Sequence, residues 1–248
     1  MTTAKNIYDY INSIAPFDTQ EEWDNAGFLI GEFRKEVKKA VLCLDVTKAV
    51  AQLAAEQGAD LIISHHPIIF NPISEIKKGS AVYTCIEKNI AVISAHTNFD
   101  VAEGGINFNL ARLLGLKNIR RIENSFLVLG ELENEMSAKE LAKAVNEILH
   151  VSGLRYTCGE KHVKIVAVGG GACEEYLDEA MSAADCFITG DAKYHFLLDC
   201  SEMGYPVFSA GHYETEYKPF LMLADTLRKM FPEVEFIESN QVNPVSAV

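Results

Sequence analysis

No uncharged apolar stretch in the 248-residue sequence approaches the length of a membrane span. The opening Met1-Thr2-Thr3-Ala4-Lys5-Asn6 carries no apolar core of signal-peptide length. A soluble, cytoplasmic protein is the expectation. Basic residues are in short supply: 22 Lys plus Arg face 35 Asp plus Glu, a formal charge of -13. That balance disfavours a grip on nucleic-acid backbones or anionic membranes. The run Arg34, Lys35, Lys38 and Lys39 reads as a solvated approach to a strand. Paired thiols are missing as well. The cysteines at 43, 85, 158, 173, 186 and 200 include no Cys-x-x-Cys, which excludes a small disulfide framework and leaves reduced, structural thiols.

Two nucleophile or phosphate signatures are also absent. There is no Gly-x-Ser-x-Gly elbow. The run Gly169-Gly170-Gly171-Ala172-Cys173-Glu174 has Glu where a dinucleotide fingerprint needs its third glycine, and no Gly-Lys-Ser/Thr ending. It reads as a strand-to-helix turn, with phosphate binding by its amides as a second role.

What is present is 48% hydrophobic residues, enough to bury the core of one broad domain or two modest ones. Short β-branched runs alternate with amphipathic stretches. Residues 39–45 followed by 48–57 and Gly58 read as strand, helix and C-cap. The unit recurs as 60–64 with a helix over 80–88, then 90–95 with a helix over 106–114. Such βαβ crossovers imply parallel strands. A second series places strands at 163–168, 185–189 and 206–210, helices at 174–183, 192–203 and 216–230, and a last strand at 234–237. Between the series lie a strand at 125–132 and a helix over 137–149, opened by the Ser137-x-x-Glu140 capping box. The fold class is α/β: two halves, 1–124 and 125–248, with mostly parallel sheets. No low-complexity linker separates them, so close packing is expected.

Ligands of parallel sheets bind beyond the carboxyl ends of the strands. The residues at those exits are Asp45, His65 and His66, His96, the glycine run, Asp191 and His212. Four of the 7 histidines therefore collect where a metal or catalytic centre would form. Adjacent histidines on a continuing strand would face opposite ways. Pro67 helps end the strand, and a loop there would let His65 and His66 reach two different ions, with one ligand plus one outer histidine as the alternative. His212 and Glu216 stand at i, i+4 by a helix entrance and can converge on one ion. His96 and Asp100 share that spacing in what reads as a loop, where spacing alone proves nothing. His195 either faces the centre or is structural, and His150 and His162 read as surface residues. Imidazoles and carboxylates without thiolate suit Zn, Mn, Fe, Co or Ni. Two such ions can hold a water nucleophile beside a polarised substrate oxygen.

Five ordered segments, 23–27 (Trp-Asp-Asn-Ala-Gly), 64–70 (Ser-His-His-Pro-Ile-Ile-Phe), 96–100 (His-Thr-Asn-Phe-Asp), 190–195 (Gly-Asp-Ala-Lys-Tyr-His) and 211–216 (Gly-His-Tyr-Glu-Thr-Glu), together resemble the Nif-three-like proteins, often labelled GTP cyclohydrolase type 2 homologues. The likeness extends over nearly the whole chain. It implies a Nif-three-like fold with a dinuclear centre of two divalent ions between the halves, assembled into a ring-shaped homohexamer. Carried over by position, the ligands are His65, His66, Asp100, His212 and Glu216. Glu216 would bridge, one ion taking one histidine of the pair with Asp100 and the other ion the remaining histidine with His212. His96 becomes an outer-shell or substrate contact, and no catalytic residue is assigned. Residues 125–162 are too few for the extra domain of longer members, and Tyr194 stands where other members often carry a second histidine, which argues against metal chemistry at that position. The resemblance implies a metal-dependent hydrolase acting on a nucleotide or related phosphate compound, with formate-releasing ring opening of GTP as the named activity. The alternatives are a non-catalytic metal-binding or regulatory protein, and an interaction protein whose oligomer is the functional object. Bound cations would cancel Asp100 and Glu216 locally, so an acidic protein can still accept an anionic nucleotide.

Overall fold

Thr3 opens the first helix. Its hydroxyl accepts the Asn6 amide while the Asn6 side chain accepts the Thr3 amide, a reciprocal cap that the sequence reading did not anticipate. The computed structural model describes residues 1–246, which divide into two units. Unit 1 comprises Met1–Gly104 and Phe220–Val242. In chain order it contains α1 (Ala4–Ile14), β1 (Gly27–Ile30), β2 (Lys39–Cys43), α2 (Lys48–Glu56), β3 (Leu61–Ser64), α3 (Ala81–Glu87), β4 (Ala91–Ser94) and α4 (Thr97–Asp100). The last strand of the chain, β11 (Glu235–Glu238), also belongs here.

The sheet of unit 1 runs β1-β4-β3-β2-β11. Strands β2, β3 and β4 are parallel, in the register Ala40↔Leu61 and Leu61↔Ala91, and β3 and β4 are buried along their whole length. That is the reason they read as continuous apolar runs rather than alternating ones. Thr47 and Ser80 cap α2 and α3 with side-chain bonds to Val50 and Tyr83 amides. The stretch 97–100 forms one helical turn, not the loop expected, because the His96 carbonyl accepts both the Phe99 and Asp100 amides.

Unit 2 comprises Gly105–Pro219 and a segment from Asn243. It contains α5 (Ile106–Leu113), β5 (Lys117–Arg121), β6 (Val128–Ser137), α6 (Ala138–Leu149), β7 (Arg155–Tyr156), β8 (His162–Gly169), α7 (Leu177–Ala183), β9 (Cys186–Thr189), α8 (Tyr194–Glu202) and β10 (Val207–Ser209). The helix α9 (His212–Met230) follows, and the boundary between units falls inside it at Pro219. The sheet runs β5-β6-β8-β9-β10-β7. Only β8, β9 and β10 are mutually parallel. β6 meets β5 and β8 antiparallel, and β7 meets β10 antiparallel, so this sheet is less parallel than the periodicity suggested.

The chain is α/β, with two sheets and helices between their strands. The division differs from 1–124 and 125–248 in two physical respects. Residues 105–124, with α5 and β5, join unit 2, because β5 pairs with β6. The C-terminal strand, expected to end the second half, pairs in parallel with β2, in the register Phe236↔Ala40, and so returns to unit 1. The helix expected over 174–183 is a 3-10 turn, Glu174–Tyr176, followed by α7. All six cysteines are free, as the spacing suggested. Among the described residues, no helix is long and apolar enough to cross a membrane.

Candidate metal centre

In unit 1 the chain keeps pairing for two residues beyond β3. The amides of His65 and His66 donate to the Cys43 and Leu44 carbonyls at 3.2 and 3.0 Å. His65 is fully buried and His66 partly so, with ring centroids 4.9 Å apart. The rings are fixed from behind. His65 Nδ1 lies 2.9 Å from the Ala95 carbonyl, and His66 Nδ1 lies 2.8 Å from Asp45 Oδ1. His96, at the end of β4, has Nδ1 2.8 Å from Asp24 Oδ1. The second Asp24 oxygen accepts the Thr97 amide at 3.1 Å and the Thr97 hydroxyl at 2.5 Å. Burial works to raise the Asp24 pKa, but the bonds from His96 and Thr97 outweigh it and hold the carboxyl down to about 2.

Donor atoms of His65, His66 and His96 lie within 4.8 Å of one another, a group able to hold a cation. Asp100, at the end of α4, brings Oδ1 to 3.5 Å from His65 Nε2. The helical turn supplies that placement. A loop would have had no reason to.

In unit 2 the donors are the first and fifth residues of α9. His212 Nε2 and the buried Glu216 Oε2 are 3.1 Å apart. His212 Nδ1 lies 2.7 Å from Asp191 Oδ2, just beyond β9. Burial would lower the His212 pKa, yet the flanking carboxylates of Asp191 and Glu216 carry it up to about 11. Without an ion the imidazole therefore keeps its second proton at neutral pH, held between two carboxylates.

The glycine run explains how the helix start is seated. Gly171 has φ of +65°, and a methyl group there would overlap the Glu216 carboxylate. Gly190 has no room for a side chain between the Gly171 carbonyl and Thr215 Oγ1. Three of the run's amides are engaged within the unit: Gly170 to Asn107 Oδ1 at 2.7 Å, Gly171 to Thr215 Oγ1 at 3.1 Å, and Cys173 to Thr189 Oγ1 at 3.2 Å. Those three amides are not free to cradle a phosphate. Glycine is required because a carboxylate and a helix start press against the backbone.

All four strand-exit histidines thus spend Nδ1 on an oxygen. A carbonyl or ionised carboxylate only accepts, so Nδ1 carries a proton in each, and Nε2 is the ring atom that would meet a cation, in place of any proton it holds toward Asp100 or Glu216. This donor set fits a borderline divalent cation. The sequence reading missed Asp24, Asp45 and Asp191 as orienting groups. Asp45 and Asp191 had been noticed only as strand-exit residues, and the signal available was that position. His195 is exposed and packs edge-on against Tyr194, away from any of these bonds. His150 and His162 are exposed, as expected.

A profile of the family described as Duf34/NIF3 (NGG1p interacting factor 3) matches residues 2–244. The GTP cyclohydrolase 1 type 2 homolog of Clostridium perfringens is 33% identical over 250 residues, covering 95% of each chain. The GTP cyclohydrolase 1 type 2 of Helicobacter pylori is 34% identical over 254 residues, covering 100% of each. Among solved structures, protein SA1388 of Staphylococcus aureus superposes with a TM-score of 0.93 at 26% identity, over 100% of this chain and 99% of that one. A Bacillus cereus protein related to NIF3 superposes with a TM-score of 0.91 at 24% identity, over 100% and 99%, a likeness of fold. With a profile match over nearly its full length, relatives of one third identity and a shared fold, the chain belongs to the Duf34/NIF3 family.

Proposed function

We propose that the donors of unit 1 and unit 2 together form one centre for two divalent ions, held by His65, His66, Asp100, His212 and Glu216, and that the protein is a hydrolase acting on a nucleotide or related phosphate compound. The observation that carries the reading is the shared device on the histidines. His65, His66 and His212, and His96 beside them, all have Nδ1 fixed by a carbonyl or carboxylate. Catalytic and structural metal sites use that arrangement to set the tautomer and raise ligand basicity. Glu216 would be the shared ligand that the family resemblance implies, and the lack of a side chain at Gly171 leaves room for its carboxylate.

Two divalent ions at such a centre would polarise a substrate oxygen and lower the pKa of a bound water. The residues do the rest. Asp45 and Asp191 hold His66 and His212 in orientation, Thr215 fixes the helix start to the glycine turn, and Asp24 positions His96 toward substrate. The names of the Clostridium and Helicobacter relatives suggest GTP as substrate. In such a ring opening one water would add to guanine C8 and break a ring C–N bond to leave a formamide, and a second water would cleave that amide to formate and a free amine on the pyrimidine. A cytoplasmic location and a homohexamer belong to the same reading, the first supported by the free thiols.

The test is to reconstitute the chain with Zn, Mn or Fe, count ions by elemental analysis, and assay formate release from GTP and a nucleotide panel, with Glu216→Ala alongside. Two ions per chain and turnover, both lost in Glu216→Ala, is the expected result. Formate release that survives removal of both ions would overturn the mechanism. Stoichiometric metal without turnover on any substrate would favour a metal-binding or regulatory role.

A further inference from the structure

Trp23 is the only tryptophan in the sequence, and 59% of its surface is exposed. Phe70 is 43% exposed. Burying such rings is worth more than almost any other side-chain burial, so a pair left open needs an explanation. The two ring centroids are 5.8 Å apart with planes tilted by 47°, so they form a corner and not a single flat face, and both stand about one ring away from His96, at 6.1 Å from Trp23 and 6.0 Å from Phe70. His96 in turn lies 5.1 and 5.4 Å from His65 and His66. The aromatic cluster therefore borders the metal ligands of unit 1 directly.

Exposure here does not mean looseness. The turn that carries Trp23 is tied on both sides of the indole. Asp24 is bonded to His96 and Thr97, the Glu21 amide donates to Thr97 Oγ1 at 3.0 Å, and the Ala26 amide donates to Gln20 Oε1 at 2.7 Å. Asn25 Nδ2 donates to the Ile69 carbonyl at 2.6 Å, stitching this turn to the residue before Phe70. Both ring-bearing segments are thus fixed to each other and to His96, while the rings themselves face solvent. Fixing the backbone in advance lowers the ordering cost when a ligand binds.

We propose that Trp23 and Phe70 form an angled aromatic platform for the planar heterocycle of the substrate, the indole stacking on its face and the tilted phenyl ring closing on its edge, holding it beside His96 so that a ring carbon lies near the proposed metal donors. The proposal rests on the hydrolase reading for its choice of ligand, a purine nucleotide, and adds two substrate-binding residues to it. Stacking tolerates any flat π-face, so the platform supplies affinity and placement while edge contacts choose the base.

Because Trp23 is the sole indole, its emission reports this surface alone. The experiment titrates GTP, guanosine and ribose 5-phosphate into zinc-loaded protein, following tryptophan fluorescence, and measures the same affinities by calorimetry for Trp23→Ala, Trp23→Phe and Phe70→Ala. Saturable quenching by GTP and guanosine but not by ribose 5-phosphate is expected. Calorimetry should show guanosine binding weakened about five- to a hundredfold in the two alanine variants, largely restored in Trp23→Phe, with metal content unchanged. Unchanged guanosine affinity in both alanine variants would overturn the platform. So would an indole shielded from acrylamide in the ligand-free protein, which would mean that a second copy of the chain covers the patch. The readout is binding, so quenching without turnover would sink the hydrolase reading alone, and turnover with an unaltered KM in Trp23→Ala would sink the platform alone.

Discussion

Asp45 and Asp191 donate nothing to an ion in the proposed centre, yet replacing either with alanine should weaken it. Each carboxylate fixes the Nδ1 proton of its histidine, at 2.8 Å for His66 and 2.7 Å for His212, and so fixes where Nε2 points. Loss of such a partner typically costs ten- to a hundredfold in metal affinity. Competition against a chromophoric chelator should show about that loss in Asp45→Ala and Asp191→Ala, with an unaltered far-UV spectrum. Asp24 offers a pH prediction. Its carboxyl, with no exposed surface, falls from 3.8 to about 2 on folding, so its stabilisation, roughly 2 kcal/mol, is complete above an unfolded pKa of about 4 and is lost as pH falls through about 2. Asp24→Asn should flatten the acid limb of the stability curve in that window, measured by urea unfolding at each pH. Four of the proposed donors, His65, His66, His212 and Glu216, were legible in sequence because strand exits and the i, i+4 spacing mark them, whereas Asp100 came only from the family resemblance. Asp24 was not legible as a partner, since it lies 72 residues from His96 and only the fold brings them together.

Local signals with their own chemistry survived best at the scale of the element. The box at Ser137 and Glu140 is formed as written in the sequence, with Ser137 Oγ accepting the Glu140 amide and Glu140 Oε2 accepting the Ser137 amide at 2.9 Å. Ser137→Ala should lower stability by about 1 kcal/mol, read as a shift of the urea midpoint without change of slope. Elements whose residues carry no burial pattern were invisible. β5 is exposed at four of its five positions, and β7 has two residues, both exposed; each exists because a neighbouring strand pairs with it. Likewise α4 hides among Thr, Asn, Phe and Asp, where propensity alone favours a loop, and is held by the His96 carbonyl.

For the whole molecule, the parallel runs and their exits gave the α/β class, while the division into units depended on where the last strand pairs. A sequence reading assigns 234–237 to its neighbours in the chain, and nothing in the short segment Val-Glu-Phe-Ile says that its partner is β2, about two hundred residues earlier. Metal removal is the prediction at this scale. A cation that binds the folded chain only must raise its stability by mass action, so exhaustive chelation should lower the Tm and readdition of zinc should restore it in a concentration-dependent way. Light scattering tests the proposed assembly, which should give six times the 27.4 kDa chain mass.

The position of β11 has a further consequence, for synthesis. Unit 2 interrupts unit 1, so the residues from 105 to 219 leave the ribosome while the first sheet still lacks its edge. Until residues 235–238 emerge, β2 presents a fully apolar row, Ala40 to Cys43, with no neighbour on one side. A nascent chain in that condition has a sticky edge of the kind that seeds intermolecular pairing. The order of translation therefore makes β11 the strand that closes the first sheet, and a chain truncated before residue 235 is expected to pellet as aggregate where the full chain does not.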